Sequence, residues 1–363
     1  MRVMMKHLRN RIKYAVVVLA ALFISVQAFG QENPNDPSKT SYLFIGNSFT
    51  YYNDMPSIFS EIARNAGKNV YVKSNTKGGA NFEEHSQRES VYKSINSHKW
   101  DNVILQGYSR EFIHSADYVD SATVPHLNKI LDSIYANNPC TNVYFFMTWG
   151  YDNGYGGYDY TKEFEGMADT IYGGYMRIGD KYELPVVPVG KVWKNVKSAS
   201  RANLYVRDKF HPSKKGSYLA ASTFFSAFYD EENRNYRPKG ISKKLAKFIA
   251  NQAYVHVHEN REVYSLDEQE SMVHWQFNED GTVNANFRAA FPNALTYKWT
   301  IDGKQEIEDS YGAYVFADKE NHLLELRVTA NCGTRKYSYA MPEAYYQKAN
   351  LTRREKRLLR NKK

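Results

Sequence analysis

This sequence has little cysteine. Only Cys140 and Cys332 occur in 363 residues, so there is no disulfide framework, and metal-ligand spacings of the CxxC or HExxH kind are missing. A single, widely separated pair reads as two unpaired, mostly buried thiols. Long hydrophobic runs are also lacking. The most apolar stretch, Tyr14 to Val26, is shorter than the roughly 20 residues that a spanning helix needs. No internal repeat and no long low-complexity tract is visible. A basic stripe is missing too, although the formal net charge is +9. Arg2, Lys6, Arg9, Arg11 and Lys13 supply five of those charges, and Lys348 to Lys363 supply a net seven, which leaves the body between them at −3. A body with no basic field argues against nucleic acid as a partner.

The two ends read as appendages. A basic segment, then an apolar one, then small residues at Ala28-Phe29-Gly30 form the pattern of a secretory signal peptide over residues 1–30, cut before Gln31. No cysteine follows to take a lipid anchor, so the expectation is an exported protein: periplasmic, on the cell surface or secreted. Residues 31–40 read as a polar linker. At the other end, residues 346–363 form a basic tail in which Leu351, Leu358 and Leu359 stand among lysines and arginines. A solvated, disordered tail is the simpler reading. A weak contact with an anionic membrane surface is the alternative.

Between the ends the pattern changes once. From 41 to about 260, short apolar strands alternate with helical periodicity. Strands are expected at Tyr42 to Ile45, Asn69 to Ser74, Asp101 to Leu105, Val143 to Met147 and Val186 to Val189. Helices are expected from Met55 to Ala66 with Asp54 as cap, Val124 to Asn137, Phe164 to Lys181 and Ser217 to Tyr229. Continuous apolar strands separated by helices imply a parallel sheet covered on both faces. From 261 to 345 alternating stretches take over, with turn signals at Asp280-Gly281 and Asp302-Gly303, which predicts a small all-β sandwich.

What the chain does have is a pair of chemically suggestive runs. Leu43-Phe44-Ile45 leads into Gly46-Asn47-Ser48-Phe49-Thr50, and about 160 residues later comes Asp208-Lys209-Phe210-His211-Pro212. A strand that ends in a glycine turn presents the next side chain at the lip of the sheet, where ligands of such sheets sit. Serine there is a candidate nucleophile, histidine a candidate base, and the aspartate a group to fix the histidine's tautomer. Gly78-Gly79, Gln106 and Trp149 also follow strand ends. Taken alone, a serine after Gly-Asn is more often a helix cap and Asp-x-x-His a surface pair; order and spacing together favour the catalytic reading.

Over roughly Ser41 to Tyr229 these blocks resemble the SGNH (GDSL-type) hydrolases, in particular a branch frequent in exported bacterial proteins. The resemblance implies a three-layer α/β/α, flavodoxin-like domain at 41–260 and an ester hydrolase that works through an acyl-serine. Ser48 would be the nucleophile, His211 the general base and Asp208 its orienting carboxylate. The oxyanion donors would be the Ser48 N–H, Gly79 and, in place of the family's asparagine, Gln106, with Asn53 as a competing amide. No metal or organic cofactor is implied. The aromatic loop Trp149 to Tyr160 is expected to overhang the site, and Trp149, Tyr151 and Tyr155 are candidate sugar contacts, which suits a carbohydrate ester, acetyl above all, as substrate. His85, His98, His114 and His126 lack ligand spacing and read as structural or surface residues. The segment around Trp299 and Leu323 to Val328 resembles polycystic-kidney-disease-type and other immunoglobulin-like modules, with Trp299 in the core. The competing reading of the whole chain is a non-catalytic glycan-binding or surface protein that keeps the hydrolase fold.

Overall fold

A computed structural model describes residues 36, 38–266, 270–290, 294–318, 320–330 and 332–342. The expected signal peptide and basic tail lie outside them.

Five strands form the first sheet: β1 (Thr40–Gly46), β2 (Val70–Thr76), β3 (Asn102–Leu105), β4 (Asn142–Phe146) and β5 (Val186–Val187). All are parallel, in the order β2-β1-β3-β4-β5, which is the flavodoxin-like order. The central strand shows why the sequence takes this form. Leu43, Phe44 and Ile45 are all completely buried, because a strand covered on both faces has no polar side to alternate with. Tyr42 and Phe44 share one face by the two-residue period of a strand and meet Phe59 and Phe224. Leu43 and Ile45 take the other face.

Helices cover both faces. On the Tyr42 side lie α2 (Met55–Asn65), α8 (Val189–Ala199), α9 (Lys214–Tyr229) and α10 (Lys243–Glu259); on the other lie α3 (Phe82–Gln87), α4 (Glu89–Asn96), α5 (Ala116–Ala122), α6 (Val124–Asn137) and α7 (Phe164–Tyr182). A single turn, α1 (Ser48–Tyr51), follows β1 directly. In α2, Met55, Ile58, Phe59 and Ile62 recur at helical spacing and are buried, each worth roughly 1.5–3 kcal/mol of transfer free energy. Asp54 precedes α2 in the left-handed region at φ 54° and makes no capping bond, contrary to expectation. The expected fifth strand stops at Val187. Pro188 turns the chain, and Val189, Val192, Trp193 and Val196 form the buried stripe of α8.

The remainder is all-β. One sheet has β6 (Glu270–Phe277), β7 (Val283–Ala290) and β10 (Tyr311–Phe316); the other has β8 (Ala294–Ile301), β9 (Gln305–Ile307), β11 (Leu323–Ala330) and β12 (Gly333–Ala340). Their pairings are antiparallel. Leu324, Leu326 and Val328 alternate inward along β11, and Phe287 of one sheet meets Trp299 of the other at 4.6 Å. Trp299 is thus a core residue. The break between the two cores falls later than position 260. Tyr264 and Leu266 still pack into the α/β core, Tyr264 sharing a hydrogen bond with His256 and Arg261 donating to the Leu266 carbonyl. Both cysteines are unpaired, as expected, but exposed rather than buried.

Candidate active site

The carboxyl ends of β1, β2 and β3 are tied together by one residue that sequence reasoning passed over. Asn47 is buried, and its side chain donates to the carbonyls of Ala80 (3.0 Å) and Gly107 (3.1 Å) while accepting from the Phe49 N–H (3.0 Å). It thereby caps α1 and fixes Ser48 as the first residue of that turn. The N–H of Ser48 is one of the donors that a helix start leaves unpaired. Gly46 has to be glycine for reasons of space. A Cβ there would lie 2.4 Å from Thr50 Oγ1 and 2.6 Å from Gln106 Oε1.

The other half comes from the loop between α8 and α9. Asp208 Oδ1 accepts the N–H groups of Phe210 (3.0 Å) and His211 (2.9 Å), a local turn in which Lys209 takes φ 71°. Its second oxygen lies 2.8 Å from His211 Nδ1, and His211 Nε2 lies 2.8 Å from Ser48 Oγ. A carboxylate can only accept, so the imidazole proton sits on Nδ1 and Nε2 is free to accept the serine hydroxyl. Burial pushes the Asp208 carboxyl up, but the bonds from the His211 ring and the two backbone N–H groups outweigh it and hold the group below its ordinary value. The His211 ring is stacked on Tyr52 at 4.3 Å and lies 4.2 Å from Phe210.

Several expected contributors stand elsewhere. Gln106, expected as the third oxyanion donor, is held inside the turn. It is fully buried, its Oε1 accepts from the Asn47 N–H (2.9 Å) and the Thr50 hydroxyl (2.8 Å), and its Nε2 donates to the Gly107 carbonyl. Its oxygen is spent on the turn that carries Ser48, and one of its two N–H groups on the Gly107 carbonyl. Asn53, the competing amide, donates to the Pro212 carbonyl (3.1 Å) and Ser217 Oγ (2.9 Å), pinning the segment after α1 to the start of α9. Gly79 is exposed, at φ +71° in the turn Lys77 to Ala80 after β2, a conformation that favours glycine.

Trp149 is a core residue rather than a sugar platform. It is sandwiched between Phe49 (4.5 Å) and Trp193 (4.0 Å) with rings nearly parallel, and its Nε1 donates to the Phe210 carbonyl (3.0 Å). It touches the neighbour of the serine and the neighbour of the histidine, so it holds both loops. Tyr151 and Tyr155 remain at the surface layer. Tyr151 lies 5.3 Å from Phe210 and shares a hydrogen bond with Ser109 Oγ (2.7 Å); Tyr155 lies against the Arg110 guanidinium at 4.2 Å. The loop that carries them is riveted to the histidine loop by Asp152, which accepts from Lys197 (2.6 Å) and Lys209 (2.9 Å). His85 is completely buried, and burial lowers its pKa to about 4.

No family model matches this sequence, and no curated protein matches it either. Solved structures do. A DUF4886 family protein from Bacteroides uniformis is similar at 21% identity, over 60% of this chain and 95% of that one, with a TM-score of 0.54. An acetyl xylan esterase aligns over 52% of this chain and 98% of its own at 16% identity and TM-score 0.41; another, from Geobacillus stearothermophilus, aligns over 52% and 94% at 16% and 0.38. The first likeness shows the fold. The other two are too slight to decide any chemistry.

Chemically, the arrangement is an activated hydroxyl. A serine at the positive end of a helical turn, a base in the receiving tautomer and an anchored carboxylate lie in one hydrogen-bonded line. Asn47 and Tyr52, which orient the serine turn and the imidazole plane, lie within and just after the Gly46 to Thr50 run, but a side chain's part in joining three loops leaves no local signal.

Proposed function

We propose that this chain is an exported serine ester hydrolase that removes acyl groups, acetyl above all, from carbohydrate. The observation that carries the reading is the line Ser48 Oγ to His211 Nε2 to Asp208, both steps 2.8 Å. His211 takes the hydroxyl proton as Ser48 attacks the ester carbonyl, and the imidazolium so formed is held by Asp208. The tetrahedral oxyanion is met by backbone donors, for which the Ser48 N–H and the Gly79 N–H are the candidates. Each such donor is worth about 3–4 kcal/mol. Collapse expels the alcohol, which receives the proton from His211. Water then repeats the sequence against acyl-Ser48. Sugar as the alcohol is supported by the Tyr151 to Tyr160 loop, whose aromatic faces suit pyranose rings. Export rests on the N-terminal residues alone, and the all-β region on this reading is a spacer or contact module.

The test is hydrolysis of p-nitrophenyl acetate by the mature protein beside Ser48→Ala and His211→Ala. Turnover, and labelling by a fluorophosphonate, should be lost in both variants. Equal labelling of wild type and Ser48→Ala would remove Ser48 as nucleophile. Labelling without turnover of any ester in an acetylated-polysaccharide panel would point to the non-catalytic glycan binder instead.

A further inference from the structure

Among the described residues, Arg110 is a cation with no counter-ion. It is half-buried in the loop that leaves β3, and among the described residues no carboxylate lies within ion-pair distance of it. Its neighbours are tyrosines. One Nη donates to the Tyr108 hydroxyl (2.8 Å), the Tyr155 ring lies 4.2 Å from the guanidinium carbon and the Tyr108 ring 5.2 Å away, while Nε is buried without a partner. Partly desolvating a charge that nothing neutralises is costly. Aromatic faces return some of that cost, and a bound anion would return more.

The position matters as much as the charge. Gly107, three residues before Arg110, offers its carbonyl to Asn47, the residue that sets Ser48. Ser109 is bonded to Tyr151, which packs on Phe210 beside the His211 ring. A chain of contacts through Tyr151 and Phe210 therefore links the Arg110 loop to His211. The nearby Glu111 does not neutralise it, because that carboxylate is turned inward to the N–H groups of Phe82 and Tyr108 and the Thr123 hydroxyl.

We propose that Arg110, framed by Tyr108 and Tyr155, is a carboxylate-binding subsite, so that the ester cleaved at Ser48 is carried by an acidic sugar of the uronic acid class. This rests on the esterase reading and narrows its substrate. The tyrosine faces take the sugar ring, and the planar guanidinium takes the carboxylate in a paired geometry that lysine lacks.

The experiment compares acetylated glucuronic acid with acetylated glucose as substrates for wild type, Arg110→Met and Arg110→Lys, reading KM and kcat for each. A charge-assisted pair predicts that wild type favours the acid sugar, and that Arg110→Met raises KM for it about ten- to a hundredfold more than for the neutral sugar, with Arg110→Lys between. A general loosening of the loop would move both substrates together, so an unchanged ratio overturns the subsite while leaving the esterase intact. Should neither ester turn over, binding of free glucuronic acid and of glucose to Ser48→Ala decides by titration calorimetry. Glucuronate binding that is lost in Ser48→Ala/Arg110→Met supports the subsite, and equal or absent binding of the two sugars refutes it.

Discussion

Replacing Asp208 by asparagine isolates one interaction in this site. The aspartate receives three hydrogen bonds, two from backbone N–H groups on one oxygen and one from His211 Nδ1 on the other. Asparagine keeps the first oxygen and hence the turn that holds His211. Its NH2 then faces Nδ1, which can no longer donate, so the imidazole proton moves to Nε2 and the base cannot accept from Ser48. The imidazolium also loses its carboxylate. Asp208 is a third exposed, so the near-surface dielectric applies, and two unit charges about 4 Å apart are then worth about 4 kcal/mol. At about 1.4 kcal/mol per factor of ten, kcat for p-nitrophenyl acetate should fall roughly a thousandfold, with KM close to wild type and a modest fall in the unfolding temperature. Asp208→Ala should cost as much activity and stability besides, because Lys209 at φ 71° loses the turn that supports it. Because the Asp208 pKa is held down in the fold, its contribution to stability is present above the ordinary carboxylate range and disappears as pH falls through the folded-state value. A kcat for Asp208→Asn within about tenfold of wild type would refute this account of the tautomer.

Three further outcomes follow from the geometry. Gln106→Ala strands the buried Asn47 N–H and Thr50 hydroxyl at about 1–3 kcal/mol each, so thermal unfolding should shift down by several degrees; a hundredfold loss of kcat at unchanged stability would restore it as an oxyanion donor. Glu111 is raised by burial, against the bonds it accepts from Tyr108, Phe82 and Thr123, so its contribution to stability is complete below the ordinary carboxylate range and is lost as pH rises through the folded value. The unfolding temperature of Glu111→Gln minus that of wild type should therefore climb between pH 4 and pH 7, and a flat or falling difference would contradict the raised carboxyl. Trp149→Leu removes a ring stacked on both sides and should cost about 2–5 kcal/mol, together with a loss of kcat that exceeds any change in KM; a pure KM effect measured on an acetylated sugar would return Trp149 to the substrate side.

The parts of this protein that its sequence made readable are those set by short-range rules. The run Leu43-Phe44-Ile45 is apolar at every position because both faces of β1 are covered, and the Asp208 to His211 spacing is readable because three residues are enough for the carboxylate to reach the ring of its own turn. Even the meeting of residues 163 apart was foreseeable, since a parallel sheet gathers its loops at one edge. What stayed hidden depends on which neighbour fills a space. Gln106 looks like a donor aimed at the site until Gly46 is seen to leave room beside it, into which the amide turns. Trp149 looks like a sugar platform until α8 supplies Trp193 beneath it, and α8 itself was missed because Val186 to Val189 reads as one strand when only its first half is. An aromatic residue at a strand end can therefore serve either as floor or as platform, and what separates the two is whether both ring faces are covered. Trp149 has none to offer, so substrate selectivity has to come from other rings, among them Tyr108 and Tyr155 beside the Arg110 guanidinium.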